Sequence, residues 1–295
     1  MELSTKNKLI SFLYVVPALV LMLGLIGYPI IFNIKISFQD FTLTTLNSGD
    51  TPFIGLENYR NILGEATFWT ALKNTLYFTF WCIILQFIVG FALAMFFNMK
   101  FKLAGFLRGM TLVAWLVPTV VTSLLFKFML NENGIINYFL MNLGFVDAPV
   151  AWLTDPSLAM WSLIIANVWV GAPFNMMLLS TGLSSLPTDV YEAASIDGAG
   201  KFRQFWSMTV PMIKPTILVV IMMGFIYTLK VFDLIFVMTG GGPVDATEAL
   251  STLSYRLSFS QFNFGSGAAV ANVLFVILFV ISLVYLRLVR SDEVM

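Results

Sequence analysis

Apolar and polar residues do not alternate along this chain; they fall into blocks. Six mostly apolar runs stand apart: Leu9 to Ile36, Trp69 to Phe97, Leu103 to Phe128, Leu158 to Leu179, Pro215 to Met238 and Ala268 to Leu288. A helix needs about 20 such residues to cross roughly 30 Å of hydrocarbon, so each run is long enough to span. The pattern predicts an all-α polytopic membrane protein with about six transmembrane helices. Lys6 and Lys8 ahead of the first run look like the start of a signal peptide. That run is too long for one, carries Pro17 and Pro29, and continues without a small-residue cleavage site, so it is read as a retained span.

Composition narrows the picture. With 59% hydrophobic and 11% charged residues, a water-soluble domain of this length is excluded. If the N-terminus is inside, one side collects Lys6, Lys8, Lys100, Lys102, Arg108, Lys201, Arg203, Lys214, Arg287 and Arg290, and the other collects mainly acids. This asymmetry places both termini and the connector around Glu192 in the cytoplasm. No basic run points to nucleic acid. The single cysteine, Cys82, lies inside the second run, which rules out an internal disulfide, and histidine is absent. A metal site is not expected, and most hydrolase readings lose their usual general base.

The polar connector between the fourth and fifth runs has the marks of a folded loop. Asp189 and Glu192 have capping-box spacing after Pro187. Asp197-Gly198 supplies a helix stop, because glycine tolerates the left-handed conformation that ends a helix. Lys201 to Met208 predicts a second short helix, with Phe202, Phe205 and Trp206 on an apolar face and Lys201 and Arg203 on a basic one. Taken alone, this is an amphipathic connector. With Glu192, Ala193, Ala194, Gly198 and Pro211 in order, it resembles the EAA loop of permease subunits in bacterial ATP-binding-cassette (ABC) importers.

That resemblance implies a MetI-like ABC importer permease fold in which Glu192, Ala193, Ala194, Asp197, Gly198 and Pro211 couple to an ATPase. It implies two cytoplasmic ATPase subunits, a second homologous permease subunit and an external solute-binding protein, all acting in the bacterial cytoplasmic (inner) membrane among its lipids. Nothing in the chain resembles the phosphate-cradling Gly-x-x-x-x-Gly-Lys-Ser/Thr loop, so no cofactor is expected in this chain; ATP and Mg would belong to the partner ATPase. The expected organisation is an N-terminal helix and external loop (1–68), a permease core (69–290) with the coupling loop at 183–214, and a cytoplasmic tail (291–295).

Thr239-Gly240-Gly241-Gly242-Pro243 marks a tight irregular turn after the fifth run. Behind an EAA loop it looks like the external turn of the sugar-permease branch, on the half related to the larger maltose permease. The chain lacks that subunit's extra N-terminal spans and large external insertion, and is closer to shorter members that move lactose, raffinose or glycerol-phosphate sugars. In the fourth run, Gly171 and Pro173 predict a weakened helix beside Asn167. The bland reading is a packing kink with Asn167 bonded to a neighbouring helix. The resemblance instead implies sugar contacts at Asn167, Val170, Gly171 and Phe174, and on the fifth run at Gly224, Tyr227, Thr228 and Val231. Gly224 and Val231 lack the polar groups of the family pattern.

Lys230 and Asp233 have i, i+3 spacing, so one helix face would bring them together. Either they neutralise each other as a structural pair, or Lys230 contacts an acidic or sulfonated sugar. The resemblance therefore implies a sugar-importing permease subunit working by alternating access, with no ATPase site of its own. The rival is an ion-coupled secondary transporter using Lys230 and Asp233, although such folds commonly carry internal repeats and none is evident. A membrane-bound enzyme is disfavoured by the lack of histidine and of clustered acids within the runs.

Overall fold

The computed structural model describes residues 5–99 and 101–292. Lys100 and the end of the expected tail, residues 293–295, lie outside the described residues. The first run folds as α1 (Thr5–Met22), a π-helical turn (Leu23–Gly27) and α2 (Tyr28–Ile36). Tyr28 N–H reaches back to Leu23 O across the wider turn, directly before Pro29, which has no N–H to give. Two short helices follow. In α3 (Leu43–Ser48), Thr42 and Thr45 form a reciprocal capping box; α4 (Glu57–Gly64) comes next.

The second run is α5 (Ala66–Asn98), an unbroken helix of 33 residues. The third run is not one helix. It forms α6 (Ala104–Leu116) and α7 (Thr119–Met129), which meet at 95°. Pro118 is the cause: it pushes Val117 into extended backbone, ending one helix and heading the next. After α8 (Ile135–Asn142), the fourth run folds as α9 (Pro156–Ser184), capped by Asp155, whose carboxylate accepts from Ser157 N at 2.8 Å. Contrary to the sequence expectation, α9 runs through Pro173 unbroken. One missing N–H is tolerated where Ala172, Pro173, Asn175 and Met176 are all buried.

The connector gives α10 (Thr188–Ile196), α11 (Lys201–Gln204), a π turn (Phe205–Thr209) and α12 (Val210–Met212). The connector then turns through 67° into α13 (Lys214–Leu229), and the fifth run is broken before α14 (Asp233–Met238), where the sequence predicts one helix. Ser251 Oγ donates to Val231 O at 2.6 Å, so a carbonyl freed at the break finds a donor, and Lys127 Nζ donates to Val237 O in the last turn of α14 at 2.8 Å. α15 (Leu250–Tyr255), a π turn (Arg256–Ser260) and α16 (Phe264–Asp292) complete the chain. Among the described residues, four helices are long and apolar enough to cross a membrane, or up to six spans if each bent pair counts as one.

The chain divides into two compact units. One runs to Glu65 and adds Ser254–Val273; the other holds Ala66–Leu253 and the residues from Leu274. The sequence places Ser254–Val273 in the core, but these residues carry the side chains that hold the first segment. Asn33 Nδ2 donates to Asn272 Oδ1 (2.7 Å), and Asn272 Nδ2 donates to the Tyr59 hydroxyl (3.1 Å), which bonds Ser37 (2.9 Å). In lipid, apolar burial gives helices no reason to associate, so such polar contacts and close packing do that work. The larger unit is built on the α5–α9 pair. One cluster packs Phe78, Cys82, Leu163 and Ile164 against Leu234 and Ile235; another packs Phe91, Met176 and Leu179 against Ile213 and Val220.

Candidate functional site

Within the larger unit, bent and broken elements enclose a cavity of about 380 Å³. Gln86 comes from α5, Trp115 and Thr119 from either side of the Pro118 bend, and Asn175 from α9. All ten positions that the sequence offers as candidate substrate contacts line it as well: Asn167, Val170, Gly171 and Phe174 from α9, and Gly224, Tyr227, Thr228, Lys230, Val231 and Asp233 from α13, the break and α14. Asn167 lies about 17 Å from the start of α9 at 1.5 Å per residue, well inside the helix. A polar cavity at that depth is where interrupted helices are tolerated.

Its aromatic wall is continuous. Trp115 stacks on Phe174 with ring centroids 5.2 Å apart, Phe174 meets Tyr227 edge to face at 5.8 Å, and Lys230 Nζ lies 5.5 Å from the Tyr227 centroid. Residues with polar side chains line the same space. Thr228 and Asn175 are buried, and Asn167 Nδ2 is buried against the Cys82 thiol. Gly224 serves packing: a Cβ there would stand 3.3 Å from Ile83 Cγ1.

The helical pairing of Lys230 with Asp233 is not formed. α13 ends at Leu229 and α14 begins at Asp233, so the i, i+3 relation is lost across a non-helical link. Among the described residues these two side chains make no ion pair, and Lys230 sits on the Tyr227 ring instead. Sequence reading also missed Gln86, Trp115, Thr119 and Asn175. A glutamine in an otherwise apolar span and a proline in mid-run were the available signals.

The connector forms a second structured feature of the same unit. α10 ends in a double bond pattern: Ala199 N donates to Ala194 O (2.9 Å) and Gly198 N to Ser195 O (3.2 Å), with Gly198 at φ +79°. The expected capping box at Asp189 is absent. Pro187 heads the helix with no side-chain cap, leaving Asp189 in the first turn, where the helix dipole favours an anion. Gln204 Nε2 straps the two arms by donating to Ser195 Oγ and Ala199 O (2.9 Å each), and the Tyr191 and Thr209 hydroxyls bond at 2.8 Å. Phe205 packs edge to face on Phe91 of α5, while Phe202 (79% exposed) and Trp206 (57%) stay outside. Glu192, Ala193, Asp197 and Gly198 are exposed, Ala194 half-buried, and Pro211 exposed within α12.

The family described as binding-protein-dependent transport system inner membrane component matches residues 86–291. The chain is 35% identical to the trehalose/maltose transport system permease protein MalF of Thermococcus litoralis, over 98% of this chain and 96% of that protein. It is 31% identical to the sulfoquinovosyl glycerol transport system permease protein SmoG of Agrobacterium fabrum, over 97% and 92%. A crystal structure of a bacterial ABC transporter involved in the import of the acidic polysaccharide alginate shares the fold, with a TM-score of 0.82 at 22% identity over 97% of this chain and 96% of that one. With a span-rich helical fold and a family match over most of its length, the chain belongs to the binding-protein-dependent transport system inner membrane components.

Proposed function

We propose that this chain is the membrane-spanning subunit of an ATP-driven carbohydrate importer, with the cavity as its sugar passage and the α10–α11 turn as its coupling handle. The observation that carries the reading is the cavity's wall, where stacked aromatic faces stand beside buried amides and a hydroxyl. Sugars present C–H surfaces to aromatic rings and hydroxyls to such groups. The relatives named above act on trehalose, maltose and sulfoquinovosyl glycerol, which supports the same substrate class here. Membership of a binding-protein-dependent family leaves an ion-coupled secondary transporter without support.

In this reading ATP and Mg are held by two cytoplasmic ATPase subunits, a homologous permease supplies the other half of the passage, and a solute-binding protein delivers the sugar outside. The exposed face of Glu192, Ala193, Asp197 and Gly198, with Phe202 and Trp206 beside it, docks into an ATPase groove. Closure of the ATPases is transmitted through the strapped turn as a rigid-body movement. Lys230, held on Tyr227, meets an acidic group when the sugar carries one. The test is reconstitution of this chain with its genomic neighbours in liposomes, measuring uptake of maltose, trehalose and sulfoquinovosyl glycerol and the ATP hydrolysed. Sugar uptake that needs both ATP and the binding protein is expected. Uptake of none of the three, or uptake without ATP, would overturn the reading.

A further inference from the structure

Gln86 is 95% buried in α5, borders the cavity, and is among the residues the sequence reading did not select. A polar side chain at that depth needs a reason, because apolar residues fill such positions at no desolvation cost. Its amide lies across α9 at Gly171. Nε2 donates to the main-chain oxygen of Asn167 at 3.0 Å, and a Cβ on Gly171 would fall 2.6 Å from Gln86 Oε1, closer than packed atoms approach. The absence of a side chain at 171 is what gives the amide its resting place. Among the described residues the amide makes no other hydrogen bond, and Oε1 is not sealed from the cavity.

We propose that Gln86 is a sugar-contacting, specificity-determining residue, and that Gly171 acts as its seat rather than as a contact of its own. The inference rests on the carbohydrate reading above. One N–H of the amide is committed to Asn167 O, which restrains its plane; the second N–H and Oε1 remain uncommitted. That donor and acceptor match two neighbouring hydroxyls of a pyranose ring, one accepting from Nε2 and the other donating to Oε1. Phe174 and Tyr227 supply the faces on which the ring's C–H surface rests. The recognised class is a pyranose with a free vicinal diol, and the site would reject an analogue lacking either hydroxyl, because a buried amide group would be left unpaired.

A purely structural role, as a strap between α5 and α9, makes a different prediction. The test uses the reconstituted complex and whichever of maltose, trehalose and sulfoquinovosyl glycerol the wild type imports. Gln86→Met keeps the volume and removes the hydrogen bonds; KM is expected to rise about tenfold with the maximal rate nearly unchanged. Gly171→Ala displaces the amide without altering it, and is expected to raise KM similarly. Gln86→Ala with Gly171→Ala should be no worse than Gln86→Ala alone, since the seat has nothing left to hold. An unchanged KM in both Gln86→Met and Gly171→Ala overturns the contact role, and a double variant markedly worse than Gln86→Ala overturns the seat. If Gln86→Met fails to fold, Gly171→Ala and the double variant carry the test. A wild-type complex that imports none of the sugars overturns the carbohydrate reading and this inference together, whereas normal wild-type uptake with unaffected variants overturns this inference alone.

Discussion

At Gly198 the backbone turns with φ +79°, and no atom lies within 4 Å of where a Cβ would stand; at Gly241, with φ +92°, that Cβ would run into the buried carboxylate of Glu248. Both turns belong to the larger unit and both end a helical segment, yet only one is enclosed. Around Gly241, Asn74 Nδ2 donates to Asp245 O and Glu248 O at 3.0 Å each, Thr252 Oγ1 to Glu248 Oε1 at 3.0 Å, and Leu250 N to Thr75 Oγ1 at 2.9 Å. The glycine there satisfies two demands, a left-handed backbone and a shortage of space. At Gly198 only the backbone demand exists, and the outer surface is left clear. An enclosed turn and an open turn can thus share one residue type and differ in what surrounds it.

The comparison breaks most sharply at Gly241. Gly241→Ala combines left-handed strain of roughly 1–2 kcal/mol with a clash against a buried carboxylate, so loss of most monodisperse protein on size exclusion is expected. Adding Glu248→Ala relieves the clash but not the strain, and partial recovery should follow. A thermal midpoint equal to wild type for Gly241→Ala alone would show that the turn is not enclosed as described. Gly198→Asp meets no clash; it carries the strain and sets a carboxylate on the open outer surface. It should insert and purify normally while losing ATPase pull-down and more than tenfold of uptake; normal uptake would remove the coupling assignment.

Smaller effects belong to the cavity. Asn167→Ala removes one hydrogen-bonding group, worth about 0.5–1.5 kcal/mol net, so uptake weakened by roughly two- to tenfold is expected, with normal expression. Lys230→Met should purify as well as wild type without any compensating change at Asp233, since the two are not paired; a requirement for Asp233→Leu to restore folding would contradict the broken helix. The smallest effect is at Asp155. Hydrogen bonds from the Ser157 hydroxyl and backbone hold its carboxyl below the usual carboxylate range. A depressed folded value means the cap contributes above the unfolded pKa and is lost as pH falls through the folded one. Asp155→Asn should therefore lower the thermal midpoint slightly at neutral pH, and the difference should shrink in acid.

What the sequence made legible divides along similar lines. The fold of the α10–α11 turn was readable because Glu192 to Gly200 form one short segment whose stop at Gly198 is a local property of the chain. The cavity residues on α9 and α13 were reached through a motif, and they do meet around one cavity. The breaks were not read: Pro118 was available as a signal, but the interruption after Leu229 contains no proline or glycine, and depends on donors such as Ser251 that arrive from elsewhere in the fold. Pro173 misled in the opposite direction, since burial of its neighbours carries the helix past it. Gln86 escaped notice because one glutamine in an apolar run says little until the facing glycine on another helix is known.

The 67° corner at Ile213 gives the connector a mechanical advantage over α13. Ile213 is 99% buried and joins α12 to α13, so it stands where a fulcrum would. Tyr227 lies about 20 Å along α13 from that point, at 1.5 Å per residue. A tilt of about 5° about the fulcrum would sweep its ring through about 1.7 Å, more than the whole range of hydrogen-bond lengths from 2.7 to 3.2 Å. Angular play too small to disturb the packing around the corner is therefore enough to make or break the grip on a bound molecule at the far end of the lever.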